Sequence, residues 1–267
     1  MAENSGISWT DHTFNSWIGC TKVSPACDNC YAETWDNRFG GVRWGPKADR
    51  TRTKIKNWNT VRKWQRAAAD KGQRQIVFCA SLADVFDNHK SIQEDWRADL
   101  WTLIRDTPDL VWMLLTKRPQ NIRRYLPEDW GDGYENVALG VSVENQAEHD
   151  RRAPVLASVA AKVRFFSMEP LLEPVKLDRS LLGTSVRYVI AGGESGRGAR
   201  PLQADAVRDI RDACSRHGAL FHFKQWGEFD ETGTRTGVDA AGNVLDGRLH
   251  QDRIDQLFSP ARQHALL

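Results

Sequence analysis

From residue 75 onward the chain repeats one pattern: a short, β-branched, nearly continuous apolar run that ends in polar residues, then a stretch of helical period. The runs are "QIVFCASLADVFD" (75–87), "DLVWMLLTKRP" (109–119), "NVALGVSVEN" (136–145), "AKVRFFSMEP" (161–170), "VRYVIAGGESG" (186–196) and "ALFHFKQWG" (219–227). Continuous apolarity, rather than alternation, marks strands buried on both faces, which belong to parallel sheets. Between them, "SIQEDWRADLWTLIRD" predicts a helix opened by a capping box of Ser91 and Glu94. "NQAEHDRRAPVLASV" and "QADAVRDIRDACSRHG", the latter closed by Gly218, predict two more. An additional strand around "FNSWIG" makes seven.

Strands alternating with helices specify an α/β fold with a parallel sheet and right-handed crossovers. An open doubly wound sheet and a partial (βα)6-type TIM barrel share this order. The polar residues favour the barrel. Every run delivers them at its C-terminal end: Ser81 and Asp84, Thr116 to Arg118, Ser142 and Glu144, Ser167 and Glu169, Gly192 to Ser195, and Lys224 to Trp226. In a barrel these ends converge on one face, whereas an open sheet binds its ligand mainly at one switch point. The whole chain, 1–267, reads as a single domain, with a basic, Trp-containing insertion at 43–74. The tail 228–267 reads as a loop or hairpin ("DAAGNVLDG") followed by a helix near Gln251 to Leu257.

Composition narrows the function. With 267 residues, 40% of them hydrophobic, the chain needs no staples to fold. It has no apolar run of about eighteen residues, and its first residues lack a signal-peptide pattern, so a cytoplasmic protein without membrane contact is expected. The net charge of +2 is unevenly spread, with eleven Lys and Arg against Asp49 and Asp70 between Arg43 and Arg74. Trp44, Trp58 and Trp64 interleave with these charges, as where a strand of DNA or RNA is held by phosphate contacts and base stacking. Arg50, Arg52, Lys54 and Lys56 are the candidate phosphate contacts. A solvated basic helix whose tryptophans face the core fits the same pattern.

Three of the five cysteines, Cys20, Cys27 and Cys30, fall in "WIGCTKVSPACDNCYAE". In a reducing compartment such spacing signals a metal or redox site more than a disulfide framework. The loop follows the first strand and precedes a helix beginning at "NCYAETWDNRF", whose N-terminus favours thiolates. A structural zinc site would need a fourth ligand, for which His12 or Asp28 is nearest. Three thiolates without a fourth suit an iron-sulfur cluster with one iron left open. Cys79 and Cys214 read as small buried hydrophobes.

The cysteine loop after the first strand of a βα barrel resembles the signature of radical S-adenosylmethionine (SAM) enzymes. Their common spacing is C-x3-C-x2-C, against C-x6-C-x2-C here, and Asn29 stands where an aromatic residue usually precedes the third cysteine. More of the chain resembles the phage-associated three-cysteine-motif proteins. That likeness runs through "SWTDHTFNSWIGCTKVSPACDNCYAE", "LLTKRPQNI", "LGVSVEN", "SMEPLL", "AGGESGRGARP" and "FKQWG". Spore photoproduct lyase, a radical enzyme acting on DNA, is similar only in cluster and barrel.

The resemblance implies a 4Fe-4S cluster on Cys20, Cys27 and Cys30, SAM as cofactor, and an electron donor such as a flavodoxin or ferredoxin. Reductive cleavage of SAM would give a 5′-deoxyadenosyl radical that modifies or repairs a DNA, RNA or nucleotide substrate. It also implies cofactor contacts from Gly192, Gly193 and Glu194, although in such enzymes the Gly-Gly-Glu segment follows the second strand, not the sixth. A tight turn with Glu194 paired to Arg197 or Arg200 is the structural alternative. Among the strand-end residues, Ser81, Lys117 and Glu144 are further candidate cofactor contacts, and Glu169 and Lys224 candidate catalytic residues. Arg118, Arg200 and Asp84 could serve in binding or as rim ion pairs. Two rivals share these residues: a zinc-stabilised nucleic-acid-binding module using His12, and a metal-dependent nuclease or hydrolase on Asp84, Glu144, Glu169 and Glu194.

Overall fold

A computed structural model describes residues 2–259. In chain order the elements are β1 (Ala2–Glu3), β2 (His12–Phe14), β3 (Trp17–Ile18), α1 (Tyr31–Arg38), β4 (Thr51–Arg52), α2 (Ile55–Lys71), β5 (Gln75–Cys79) and α3 (Glu94–Arg105). They continue with β6 (Leu110–Thr116), α4 (Ile122–Tyr125), β7 (Val137–Ser142), α5 (Gln146–Ala157), β8 (Val163–Met168), β9 (Tyr188–Ala191), α6 (Ala204–His217) and β10 (Leu220–Phe223). After these come α7 (Val238–Ala241), the hairpin β11 (Val244–Leu245) and β12 (Arg248–Leu249), and a 3-10 turn at Ile254–Leu257. Of the stretch "DAAGNVLDG", Asp239–Ala241 lies in α7 and only its end enters the hairpin, while the last helix is only that turn; residues 260–267 of the tail lie outside the described residues.

An eight-stranded sheet runs β1-β2-β5-β6-β7-β8-β9-β10. Its seven strands from β2 to β10 are mutually parallel and neighbour one another in chain order, and β1 adds antiparallel at the edge. The order never reverses, so the sheet has no topological switch point. Side chains alternate across it. Outward residues such as Phe14, Val77, Trp112, Leu139 and Val189 share a core with Trp58 and Trp64 of α2, Leu100 of α3, Leu156 of α5 and Ile210 of α6. Inward residues, among them Phe78, Met113, Ala138, Phe165 and Ile190, pack on one another with Trp9 and Ile254. Both faces are therefore dry, which is why the strands read as unbroken apolar runs.

Two expectations shift. The first parallel strand ends at Phe14, before "SWIG". Asn15 turns the chain away because its side chain is bound to Leu82 N–H and Ser81 Oγ, and Trp17–Ile18 pairs antiparallel with Thr51–Arg52. The capping box of α3 does not form: Ser91 Oγ accepts from Arg50 N–H instead, and the helix starts at Glu94. The predicted closing Gly218 of α6 is present, left-handed at φ 72°, and α5 is capped by Asn145 Oδ1, which accepts from Glu148 N–H. The β8–β9 crossover carries no helix, and β6–β7 only a 3-10 turn and α4.

Gly140 sits where an inward Cβ would lie 2.3 Å from the Phe165 ring. Gly140→Ala is therefore expected to lower stability by about 1–3 kcal/mol through overpacking, with recovery in the Gly140→Ala/Phe165→Leu double variant. Denaturant unfolding measures both, and an unchanged midpoint for the single variant contradicts this packing. His222 on β10 is buried between Ser8 Oγ and Asp252 O, at 2.9 and 3.1 Å. Burial holds its pKa below the ordinary 6.5. Below that pH the unfolded chain takes up a proton that folded His222 resists, so stability falls with pH. His222→Gln is expected to narrow its stability gap to wild type as pH drops below 6.5; a constant gap contradicts the assignment.

Candidate active-site cavity and its cysteine loop

At the C-terminal ends of the strands the inward positions turn from apolar to polar. On β7 Ala138 and Gly140 lead to Ser142, and on β8 Val163 and Phe165 lead to Ser167 and Glu169, while on β10 the polar His222 already precedes Lys224. A cavity of about 440 Å³ opens there. Ser81, Asp84, Lys117, Arg118, Ser142, Ser167, Glu169, Gly193, Glu194 and Lys224 line it, with Trp9 and Phe78 at its apolar side. That volume suits a small organic ligand.

The cysteine loop covers the same cavity, and Cys20, Cys27 and Cys30 all line it. Gly19 N–H donates to Leu82 O at 3.0 Å, which anchors the loop's entry beside the end of β5. Pro25–Cys27 is a 3-10 turn, and Cys30 is the N-cap residue of α1. Cys20 Sγ contacts Thr21 O and Arg118 Nη1, each at 3.6 Å. Burial, and then the Asp84 carboxylate, push its thiol up to about 11 in spite of Arg118. Among the described residues no three His, Cys, Asp or Glu side chains form a group that could hold a metal ion. His12 is remote from this loop's cavity: it stacks on Trp64 at 4.1 Å and bonds Gln75, so it does not complete a zinc set.

Each strand-end carboxylate has its own cation. Asp84 pairs with Arg118 at 2.9 Å, Glu169 with Lys224 at 2.7 Å, Glu194 with Arg200 at 2.6 Å and Glu144 with Arg152 at 2.9 Å. Glu144 is 1% exposed and does not line the cavity, so its expected cofactor contact is replaced by a structural pair. Gly192 also lies off the lining. Gly193 is required for chain packing, because a Cβ there would fall 1.8 Å from Trp226 O. Glu194 follows the structural alternative. Burial opposes its charge, but hydrogen bonds from Arg200 and Asn29 hold its carboxyl below the usual range.

Asn29, missed from sequence, joins the cysteine loop to this turn: its Nδ2 donates to Glu194 Oε2 at 3.1 Å and Gly198 O at 2.7 Å. Arg200 adds bonds to Pro25 O and Asp28. Only a polar residue between two cysteines signalled this role. Of the lining groups, Ser142 Oγ and Glu169 Oε1 are buried without a hydrogen-bond partner among the described residues. Lys117 forms no ion pair there. These atoms are the ones left for a ligand.

The basic segment divides. Arg50 is 3% exposed, paired with Asp87 at 2.9 Å, and donates to Gly45 O, Ala48 O and Thr21 Oγ1, so it cannot reach a phosphate. This corrects its expected role: the guanidinium ties the loop together. Arg52 pairs with Asp95 and Asp99 and lies over Trp58. Lys54 and Lys56 are exposed. Trp58 and Trp64 face the core, whereas Trp44 lines the cavity.

The model of one family, DUF5131, described as a protein of unknown function, matches residues 4–253. The chain belongs to that family. Comparison with curated proteins and with solved structures finds no match. Among the described residues of this DUF5131 protein, no helix is long and apolar enough to cross a membrane.

In metal-free DUF5131 protein, pulse alkylation of Cys20 followed by peptide mass spectrometry is expected to accelerate with pH until about 11. Asp84→Asn should bring that plateau down. A plateau near the ordinary 9.0 contradicts the burial and carboxylate effects.

Proposed function

We propose that this DUF5131 protein is a cytoplasmic iron-sulfur enzyme of the radical SAM type, built on a partial α/β barrel and acting on a nucleic acid or nucleotide. The observation that carries the reading is that Cys20, Cys27 and Cys30 line the same cavity as the polar strand ends, with Cys20 Sγ 3.6 Å from Arg118 Nη1. The chain-order parallel sheet, with an inner face packed on itself, supports the barrel. The phage-associated group and the radical enzymes enter through the motifs alone.

By donor chemistry, three soft thiols lining one cavity suit the cluster better than zinc, although among the described residues they are not gathered into a metal-holding group. Neither expected fourth ligand lines that cavity: His12 stacks on Trp64, and Asp28 pairs with Arg200. Ligation requires Cys20 to lose its proton and with it the bond to Thr21 O, whereas Arg118 N–H can go on donating to the sulfur. A reduced cluster with SAM would supply the electron that releases a 5′-deoxyadenosyl radical. The chain's own residues do the rest. Lys117 can bind a carboxylate or phosphate; Ser142 and the free oxygen of Glu169 can accept from an amine or hydroxyl. The Glu169–Lys224 pair can hold or pass a proton at the cavity floor. Trp9, Phe78 and Trp44 exclude water.

The carboxylate pairing weighs against a hydrolase on Asp84, Glu144, Glu169 and Glu194, since a divalent cation would have to displace an Arg or Lys from each. The protein purified without oxygen is expected to contain iron and sulfide in the ratio of a 4Fe-4S cluster, and to form 5′-deoxyadenosine from SAM under reduction. Cys20→Ala, Cys27→Ala and Cys30→Ala should each abolish both. Zinc without iron or sulfide would overturn the proposal.

A further inference from the structure

Helix α1 leaves the cysteine loop at the cavity mouth and buries only Ala32 and Asp36. On its open side Tyr31, Trp35 and Phe39, four residues apart, are 54%, 40% and 67% exposed. Trp35 and Phe39 rings lie 5.0 Å apart. These three large aromatic side chains are not core, and each keeps a substantial part of its surface open to solvent. Tyr31 belongs to the ridge and to the cavity together: its ring lines the cavity, and its hydroxyl is tied to Ser81 O at 2.6 Å.

Charge indicates what the ridge takes. Every carboxylate near it is neutralised: Asp28 by Arg200, Glu33 by Lys22 and Asp36 by Arg43. Arg38, exposed in the last turn of α1, has no partner among the described residues, and Lys117 lines the cavity, its charge helping to hold the Glu144 carboxyl low. The surface thus offers aromatic faces, an unpaired guanidinium and no free negative charge. Residues four apart on a helix rise by about 6 Å, but the Trp35 and Phe39 rings lean together at 5.0 Å and 52°, so no base enters between them. Bases of an unstacked strand stack on the exposed outer faces of this pair and of Tyr31.

We propose that Tyr31, Trp35 and Phe39 form a stacking ridge for single-stranded nucleic acid, which leads one nucleotide past Tyr31 into the cavity. The inference rests on the nucleic-acid reading above and relocates the contact from the 43–74 segment to α1. Base–aromatic stacking supplies sequence-tolerant affinity, and Arg38 meets the backbone.

The test is fluorescence-anisotropy titration of the full chain with labelled single-stranded oligothymidylate and oligouridylate at low and high salt, with iron content measured on the same preparations. Wild type should bind, more weakly at high salt. Trp35→Ala and Phe39→Ala should each weaken binding about 5- to 100-fold, and Trp35→Tyr should restore most of it, with iron unchanged. If wild type binds and the alanine variants bind equally well, the ridge is overturned while the nucleic-acid reading stands. If wild type binds neither strand, both fail, while an iron-loaded protein still leaves the cluster reading intact. Loss of self-association in Trp35→Ala without any strand binding would overturn the ridge in favour of an interface between copies.

Discussion

The constraint on which this molecule depends is a parallel sheet with no solvated face. Helices dry one side, and on the other residues such as Phe78, Met113, Phe165 and Ile190 pack on one another with Trp9 and Ile254. Most charged side chains then emerge at the strand ends, where desolvation makes an unpaired charge costly. Asp84, Glu144, Glu169 and Glu194 consequently each hold a cation, and the atoms left over are few. The candidate chemistry is confined to those atoms and to the thiols above them.

The cysteine loop is held by the same kind of pairing. Arg50 gathers Gly45, Ala48 and Thr21 beneath it, Arg118 braces Cys20, and Arg200 with Asn29 joins its far side to the turn after β9. Three buried or half-buried ion-pair networks thus fix a long loop that has little apolar contact of its own. Breaking one partner leaves the other charge uncompensated, which is why such networks define a geometry more surely than they add stability.

The parallel strands were legible because a sheet buried on both faces leaves a one-dimensional trace: unbroken apolar runs with polar ends. The first strand was less so, because Asn15 ends it through hydrogen bonds to residues 81 and 82 that are remote in sequence. Charge counting placed Arg50 beside Lys54 and Lys56, yet burial separates an internal tie from exposed lysines, and that depends on tertiary packing. Glu194 was ambiguous for the same reason, since its choice of Arg200 over a ligand is made across a turn. The spacing of Tyr31, Trp35 and Phe39 was visible, but such spacing ordinarily marks a buried helix face. Here the buried face is the one carrying Ala32 and Asp36.

The central claim is that the three thiols hold a cluster whose remaining position faces a cofactor in the cavity. Electron paramagnetic resonance of the reduced, iron-loaded protein, recorded with and without SAM, tests it most directly. The account predicts the signal of a reduced 4Fe-4S cluster, altered by SAM and missing in Cys27→Ala. A cluster signal indifferent to SAM, or no cluster in a protein that binds zinc instead, would contradict it.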